Sequence, residues 1–371
     1  MKKNQLVTLG KHIDILSGCA FPSSGFNRNN GVPLIRIRDI LSGKTETYYE
    51  GSYDLKYLIK KGDLLVGMDG DFNREYWKGT DALLNQRVCK ITPNPETLDK
   101  NFLYHFLQKE LDKIHATTDV VTVKHLSVKK IQDIKIRLPS LKEQKRIATI
   151  LDKADAIRQK REQAIKLADD FLRAKFLEMF GTPANNIHRF PKGTIRDLVD
   201  SVNYGTSAKA SIDSGEYPIL RMGNITYQGR WDFTDLKYLD LSVKEKDKYL
   251  VKEGDLLFNR TNSKELVGKT AVYEEDRPMA FAGYLIRVRP NSIGNNYYIS
   301  GYLNSIHGKI TLMNMCKSIV GMANINAQEL QNIEILIPPK HLQDEYEIIY
   351  KKIKKGLSIY DKSAMQLQLL A

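Results

Sequence analysis

The sequence has little cysteine and lacks any pattern typical of metal or disulfide scaffolds. Its three cysteines, Cys19, Cys89 and Cys316, are far apart and odd in number, and no CxxC motif is present. This distribution argues against a zinc ribbon or a disulfide framework and favours a reducing compartment. We therefore expect a cytoplasmic protein without a metal site.

Long apolar runs are also missing. The N-terminal segment carries basic residues without the apolar core that a secretory signal needs. No stretch of about 18 apolar residues occurs anywhere in the chain, so we predict no membrane-spanning helix.

Motifs that carry catalysis are absent or incomplete. HExxH and GxSxG do not occur, and the 7 histidines are scattered without ligand spacing. Residues 267–270 end like a phosphate-binding loop, but Ser263 stands where that loop requires its first glycine. Asp69 and Asp71 open like a calcium loop, yet Arg74 occupies the place of its obligatory glycine. We expect no catalytic residue, no metal and no cofactor in this chain.

What the sequence has in excess is positive charge. It contains 57 Lys and Arg against 44 Asp and Glu, a formal net charge of +13. Lys and Arg side chains gain affinity by displacing the counterions condensed on a polyanion. Charge therefore makes nucleic acid the leading partner, although a basic protein with no such role has the same composition.

The most informative feature is an internal repeat. Three segments recur in the same order, and the offset between the copies grows along the chain, as expected for insertions in loops between shared core elements. The matched segments are residues 32–40 with 217–225, 56–65 with 248–257, and 125–144 with 324–343. We predict a duplicated unit.

Each copy combines strand and helix patterns. Apolar residues alternate with Arg36 and Arg38, which predicts a strand. A later strand should stop at Pro139 in one copy and Pro338 in the other, because proline cannot donate to a sheet ladder.

A long amphipathic helix is predicted after each of these prolines. Residues 141–179 contain neither Gly nor Pro, and Gly181 and Pro183 supply a stop. Apolar residues from 342 to 367 recur at steps of three and four. An apolar stripe must be buried, so the simplest arrangement packs the two helices antiparallel. The alternative, in which each helix caps its own unit, conflicts with the length of the first.

The predicted fold class is α+β, with two similar mixed α/β units separated by a pair of long antiparallel helices that form a coiled-coil spacer. The predicted boundaries are 1–140 for the first unit, 141–182 for the first helix, 183–340 for the second unit and 341–371 for the second helix.

One segment carries a family resemblance. Residues 137–163 combine a strand, a Leu-Pro step, Glu143-Gln144 and a long helix. This resembles the first conserved region of the DNA-specificity subunits of type I restriction-modification systems, and the duplicated layout resembles their two target-recognition domains. The second copy departs from the pattern, since it keeps Gln343 but has Leu342 in place of the glutamate.

The resemblance implies a non-catalytic subunit that binds double-stranded DNA. Each domain would read one half of a bipartite target, and the helices would fix the gap and dock two methyltransferase (modification) subunits. Restriction subunits would then join, and S-adenosylmethionine, ATP and magnesium would belong to the partner subunits. Three alternatives remain open: a stand-alone enzyme such as a nuclease, a DNA-independent coiled-coil adaptor, and an exchangeable silent copy of a specificity subunit.

Candidate DNA-binding residues are polar side chains of sufficient reach near matched steps of the repeat. Arg can bond guanine bidentately and Asn can bond adenine in the same way. Solvated strand residues or internal ion pairs are the alternative, and Asn326 also has the sequence context of a helix N-cap. The candidates are Arg36, Arg38, Arg74, Lys124, His125, Arg221, Asn224, Arg260, Asn262, Lys264, Asn324 and Asn326.

Candidate spacer and partner-binding residues follow the two helical stripes. They are Glu143, Gln144, Ile147, Ile150, Ala154, Ile157, Gln343, Tyr346, Ile349, Ile353, Leu357 and Tyr360.

Overall fold

The structure is a computed structural model that describes residues 5–118, 124–319 and 322–368. It divides into two compact units, Met1–Arg158 and Gln159–Ala371, and the division falls inside one continuous helix. The boundaries drawn from the sequence separate helices from recognition domains instead, and they stay predictions.

The first unit contains eleven described strands and the start of the long helix. Its strands are β1 (Gln5–Thr8), β2 (Ile13–Ser17), β3 (Phe26–Asn27), β4 (Val32–Ile35), β5 (Tyr48–Tyr49), β6 (Leu58–Ile59), β7 (Leu64–Gly67), β8 (Arg74–Tyr76), β9 (Ala82–Leu84), β10 (Val88–Pro93) and β11 (Lys135–Leu138). Its helices are α1 (Lys100–Ala116), α2 (Val128–Gln132) and the long α3 (Leu141–Phe180), which continues into the second unit.

The second unit repeats this series with additions. Its strands are β12 (Lys192–Thr194), β13 (Val199–Tyr204), β14 (Tyr217–Leu220), β15 (Lys237–Leu239), β16 (Leu250–Val251), β17 (Leu256–Asn259), β18 (Thr261–Asn262), β19 (Thr270–Val272), β20 (Met279–Phe281), β21 (Leu285–Pro290), β22 (Lys317–Ile319), β23 (Met322–Asn324) and β24 (Glu334–Leu336). Its helices are α4 (Val243–Tyr249), α5 (Asn296–Asn304), α6 (Ile306–Met315), α7 (Ala327–Gln331) and α8 (Lys340–Gln368).

Strand order confirms the duplication. The sheet β2-β10-β7-β8 of the first unit corresponds to β13-β21-β17-β19 of the second, and the pair β1-β11 corresponds to β12-β24. In each unit a second sheet contains one parallel pair, β4 with β9 and β14 with β20, flanked by an antiparallel strand. The sheet β18-β23-β22 is described in the second unit only.

The central strand of each main sheet shows why these residues form this layered fold. In β7, Leu64 and Val66 join one apolar cluster while Leu65 joins another, because successive strand residues point to opposite faces. In β17, Leu257 likewise lies in a different cluster from its neighbours. Strands buried on both faces need apolar residues at every step, which is what the matched GDLL segments supply.

Helix α3 begins at Leu141, as predicted, and ends at Phe180, two residues before the predicted end. Gly181 follows with φ of 68°, the left-handed conformation that ends helices at glycine. None of the described helices is long and apolar enough to cross a membrane.

Within the second unit, the end of α3 packs antiparallel against α8. The Tyr346 ring lies 5.4 Å from that of Phe176 and 5.8 Å from that of Phe180, measured between centroids. Further back along α3, Leu172 shares a pocket with Leu357, which lies further forward along α8. The two helices therefore run in opposite directions, as predicted.

Candidate nucleic-acid interface

The two best sequence candidates, Arg36 and Arg221, occupy the same place in the two units. Each follows the first strand of the parallel pair and stands immediately before a 3-10 turn. The backbone N–H of Arg36 donates to Asp39 Oδ2 (2.9 Å), and that of Arg221 donates to Asn224 Oδ1 (2.8 Å). The strand that the sequence pattern predicted through Arg36 and Arg38 ends at Ile35 instead, because the backbone turns there, and both arginines lie in the turn that follows.

The same comparison gives Asn224 an internal role. Its side chain is only 3% exposed, and its amide nitrogen donates to the carbonyls of Asp232 (2.8 Å) and Asp235 (2.9 Å). It stands where Asp39 stands in the first unit, and Asp39 is also buried. A base contact by Asn224 would require breaking these bonds, so its predicted DNA role lacks structural support.

In the first unit, several polar side chains surround one open pocket of about 210 Å³. The exposed Arg36 and Arg38 line it together with the loop between β9 and β10 and with Asp69. The Asp69 carboxylate lies 2.6 Å from His125 Nδ1 and 3.4 Å from Arg87 Nε. Arg38 is paired with Asp39, its Nε lying 3.7 Å from Asp39 Oδ1, so three guanidinium groups lie near two carboxylates and the surface keeps a net positive charge.

Sequence reasoning missed two members of this surface. Gln86 and Arg87 form the turn between β9 and β10, and both are exposed. Arg87 has φ of 72°, a left-handed conformation that costs energy for a residue with a side chain and that concentrates at functional sites. The repeat gave no signal here because the equivalent residues are Gly283 and Tyr284.

The second unit holds its arginines more tightly. Arg221 Nη2 lies 2.8 Å from Asp235 Oδ2. The guanidinium of Arg260 lies 4.9 Å from the centre of the Tyr204 ring, and its terminal nitrogens reach Gly283 O and Asn324 Oδ1, both at 3.5 Å. Tyr284, at the position of Arg87, is exposed.

The remaining second-unit candidates lie beside Arg260. Asn262 is half-buried, and its side-chain oxygen accepts the Ser263 N–H at 2.9 Å. Lys264 is exposed in the same loop. Asn324 pairs with Thr261 across β18 and β23, so Arg260, Asn262 and Asn324 are brought together.

A buried lysine supports the turn that carries Arg221, and a second lysine with a lowered pKa lies near it. Lys269 is buried and donates to the carbonyl of Met222 at 2.8 Å, and burial lowers its pKa. Burial, with the positive charges of Arg173 and Lys269 nearby, lowers the pKa of Lys309 to about 8. The Lys309 ammonium lies 4.9 Å from the centre of the Tyr227 ring.

Three candidates have local structural partners instead. Arg74 stacks on Tyr104 with its guanidinium carbon 3.5 Å from the ring centre. Lys124 Nζ donates to the His115 carbonyl (2.6 Å) in the last turn of α1. Asn326 caps α7, accepting the Glu329 N–H at 2.9 Å, which confirms the capping interpretation. These contacts account for the three residues without DNA.

The helix-start residues differ in exposure. Glu143 is half-buried and pairs with Arg146 at 2.8 Å, and this hydrogen bond lowers the pKa of Glu143. Gln144 and Gln343 are both 0% exposed and bond only within their own units in the described contacts.

The apolar stripes are buried to different extents. On α3, Ile150 is 54% and Ile157 is 47% exposed, whereas Ile147 and Ala154 are half-buried. On α8, Tyr346 and Leu357 are buried, and Ile349 and Ile353 are half-buried. The side chain of Tyr360 lies outside the described part of the chain. The start of α3 thus leaves apolar surface available to a partner.

Within residues 5–118, 124–319 and 322–368, no group of three or more His, Cys, Asp or Glu side chains could hold a metal ion. The arrangement offers positively charged and hydrogen-bonding groups on loops of two rigid frames, which suits recognition of a polyanion.

Comparison with known proteins gives one consistent result. A family model described as "Type I restriction modification DNA specificity domain" matches residues 1–167 and again residues 190–369. The EcoBI specificity subunit of Escherichia coli is 31% identical over 374 residues, covering 92% of this chain and 77% of that protein. The EcoKI specificity subunit of Escherichia coli K12 is 24% identical over 350 residues, covering 87% and 75%. Among solved structures, the S subunit of a type I system from M. genitalium superposes with a TM-score of 0.65 at 15% identity, covering 100% of this chain and 94% of that one.

Proposed function

Because the chain belongs to the type I restriction-modification DNA specificity family, we propose that it reads a bipartite double-stranded DNA target, one half with each unit. The observation that carries this proposal is the matched placement of Arg36 and Arg221. The two units place an arginine at the same turn, and the loop beside it differs between them, with Gln86-Arg87 in one and Gly283-Tyr284 in the other. A common frame with different loops suits two readers with different target sequences.

In the first unit, the proposed reading surface is formed by Arg36, Arg38, Arg87 and His125. Their side chains are exposed and lie on turns and loops rather than within strands. Arg36 is the candidate for base-edge contact, since guanine offers two acceptors that match a guanidinium. The Arg87 side chain is 58% and the Asp69 side chain 21% exposed, so the ion pair is partly solvated and phosphate can compete for the arginine.

In the second unit, Arg221 is the proposed base reader, and Arg260 and Lys264 are the proposed phosphate ligands. Arg221 must exchange its contact with Asp235, whose carboxylate is largely exposed. Arg260 is already oriented by Tyr204, which lowers the entropy lost on binding.

The long helices are proposed to hold the two half-sites at a constant gap and to dock two methyltransferase subunits. A continuous helix of 40 residues is about 60 Å long. DNA half-sites read from the same face repeat every 34–36 Å or so along the duplex, which is within that reach. The exposed Ile150 and Ile157 are candidates for contact with a modification subunit.

Chemistry belongs to the partners in this proposal. The chain is a non-catalytic, cytoplasmic subunit; modification subunits bring S-adenosylmethionine, and restriction subunits bring ATP and magnesium. The chain contributes recognition and geometry.

Co-expression with the modification subunit followed by genome-wide mapping of methylated bases tests the proposal. We expect methylation within a split motif whose two parts are separated by a constant gap. Methylation within one continuous motif, or methylation that does not depend on this chain, would contradict it.

A further inference from the structure

Two buried glutamines join each long helix to its own unit. Gln144 stands five residues after Pro139, and Gln343 stands five residues after Pro338. Both side chains are completely buried, although an amide is normally solvated at the first turn of a helix. Apart from the preceding proline, little else is retained at this step, where residues 141–144 read Leu-Lys-Glu-Gln and residues 340–343 read Lys-His-Leu-Gln.

The bonds of Gln144 connect three separate segments of the first unit. Its Nε2 donates to the carbonyls of Thr97 and Pro139, both at 2.9 Å. Its Oε1 accepts the backbone N–H of Asp99 at 2.8 Å. Asp99 is the N-cap of α1, and Pro139 follows the last strand, so one side chain ties the start of α3 to both.

Gln343 makes the two corresponding donor bonds in the second unit, but its Oε1, unlike that of Gln144, has no hydrogen-bond partner among the described residues. Its Nε2 donates to the carbonyl of Pro338 at 2.8 Å and to that of Ile293 at 3.0 Å. Ile293 lies two residues before Asn295, the N-cap of α5, as Thr97 lies two residues before Asp99. The two donor bonds of the glutamine amide are therefore shared by both units, although the loops that carry their candidate DNA-binding residues differ.

Hydrogen bonds at the start of a long helix control the direction of the whole helix. One base-pair step is about 3.4 Å along the duplex. On a helix of about 60 Å, a tilt of only about 3° at the root moves the far end by that distance. A constant gap therefore requires that the root of each helix be held rigidly, and a buried amide with fixed partners restrains its direction more strictly than apolar packing does.

We propose that Gln144 and Gln343 are positioning residues that set the gap between the half-sites, without contacting DNA or a partner subunit. This inference rests on the proposed function of the helices as a spacer. It replaces, for these two residues, the prediction that they bind a partner.

The test uses the complete complex with its modification subunit and a set of duplexes in which both half-sites are kept and the gap is changed by one or two base pairs. Gln144→Met fills the same space and removes the amide. We expect methylation of the off-by-one gaps, relative to the natural gap, to rise on the order of tenfold, with half-site base preference unchanged.

Matched controls separate positioning from simple loss of stability. Leu65→Ala and Leu257→Ala remove equivalent buried side chains of the two main sheets, away from both glutamines. They should lower the melting temperature and leave the gap preference as in the parent. If Gln144→Met does not assemble, Gln343→Asn carries the test, because it keeps an amide but withdraws it by one methylene.

The outcomes are distinct. An unchanged gap preference in the assembled glutamine variant, or equal relaxation in the leucine controls, overturns the positioning role. A parent complex that methylates no split motif overturns the proposed function instead.

Discussion

The two units share a frame and differ in how they hold their basic side chains. In the first unit Arg36, Arg38 and Arg87 are exposed, and the ion pairs of Arg38 with Asp39 (3.7 Å) and of Arg87 with Asp69 (3.4 Å) are long. In the second, Arg221 is paired with Asp235, and Arg260 is stacked on Tyr204. Strand order, the turn that follows the parallel strand and the buried glutamine are the same in both. Contacts to the backbone therefore keep the strand order and turns alike in the two units, whereas the side chains on their loops are free to diverge.

The frame itself should respond most strongly to change. Gly18 and Gly205 occupy equivalent positions in the two units, and each lies against the backbone of another segment. An added Cβ at Gly18 would lie 2.0 Å from Asn85 O, and one at Gly205 would lie 2.3 Å from Ala282 O. Because backbone must move, Gly18→Ala and Gly205→Ala should each destabilise the affected unit by about 3 kcal/mol. Urea unfolding measures this, with Gly223→Ala as control because nothing lies within 4 Å of its added Cβ. Equal unfolding midpoints for all three variants would contradict the conclusion that both units depend on a close backbone approach at this position.

Base discrimination should come next in size. Arg36→Ala removes the proposed base contact of the first unit, and we expect a loss of about 1–3 kcal/mol of preference at one base pair in one half-site. Mapping of methylated bases measures the loss. The position is wrong if the motif keeps both halves unchanged, and a weakened response to every sequence would make Arg36 a phosphate ligand.

The carboxylates that hold the arginines give a smaller effect. Asp69 in the first unit and Asp235 in the second each face a candidate basic residue. Asp69→Asn and Asp235→Asn should strengthen binding to non-cognate DNA by up to about 1 kcal/mol, because each carboxylate competes with phosphate for a partly exposed arginine. Fluorescence anisotropy at low and high salt measures the effect, which should fade as salt screens it. Weaker binding by either variant would show that its ion pair orients the arginine.

A pH effect should distinguish the second unit alone. The pKa of Lys309 is lowered to about 8 by burial and by Arg173 and Lys269, so above that pH the unfolded chain binds more protons than the folded one. This group should therefore add roughly 0.5–1 kcal/mol of stability between pH 7 and 8.5, and Lys309→Met should remove that part of the rise. The exposed Lys244→Met serves as control. Parallel pH profiles for the parent and Lys309→Met would contradict the assignment.

The frame could be predicted further from the sequence than the interface. Strand stops at Pro139 and Pro338 and the start of α3 at Leu141 depend on local rules, and the structure confirms them. The parallel pairing of β4 with β9 joins segments about fifty residues apart, and no local pattern reports such a pairing. The sequence therefore predicted that the unit occurs twice, whereas the order and pairing of the strands within each sheet became known only from the structure.

The interface depends on that long-range arrangement. Arg87 reaches the surface of Arg36 only because β9 lies beside β4, so its position in sequence gave no indication. Asn224 and Gln144 have the polarity of contact residues, but their burial is decided by neighbours distant in sequence. A polar residue at the same position in both copies of a repeat can either contact DNA or stabilise the fold through internal hydrogen bonds. Only its burial in the structure distinguishes the two roles.

The most direct measurement of the central claim is the methylation map of Arg221→Ala beside that of the parent, each co-expressed with the modification subunit. If each unit reads its own half-site at a fixed distance, the variant should relax one half of the motif and leave the other half and the gap unchanged. Relaxation of both halves, or a change in the gap, would contradict the account.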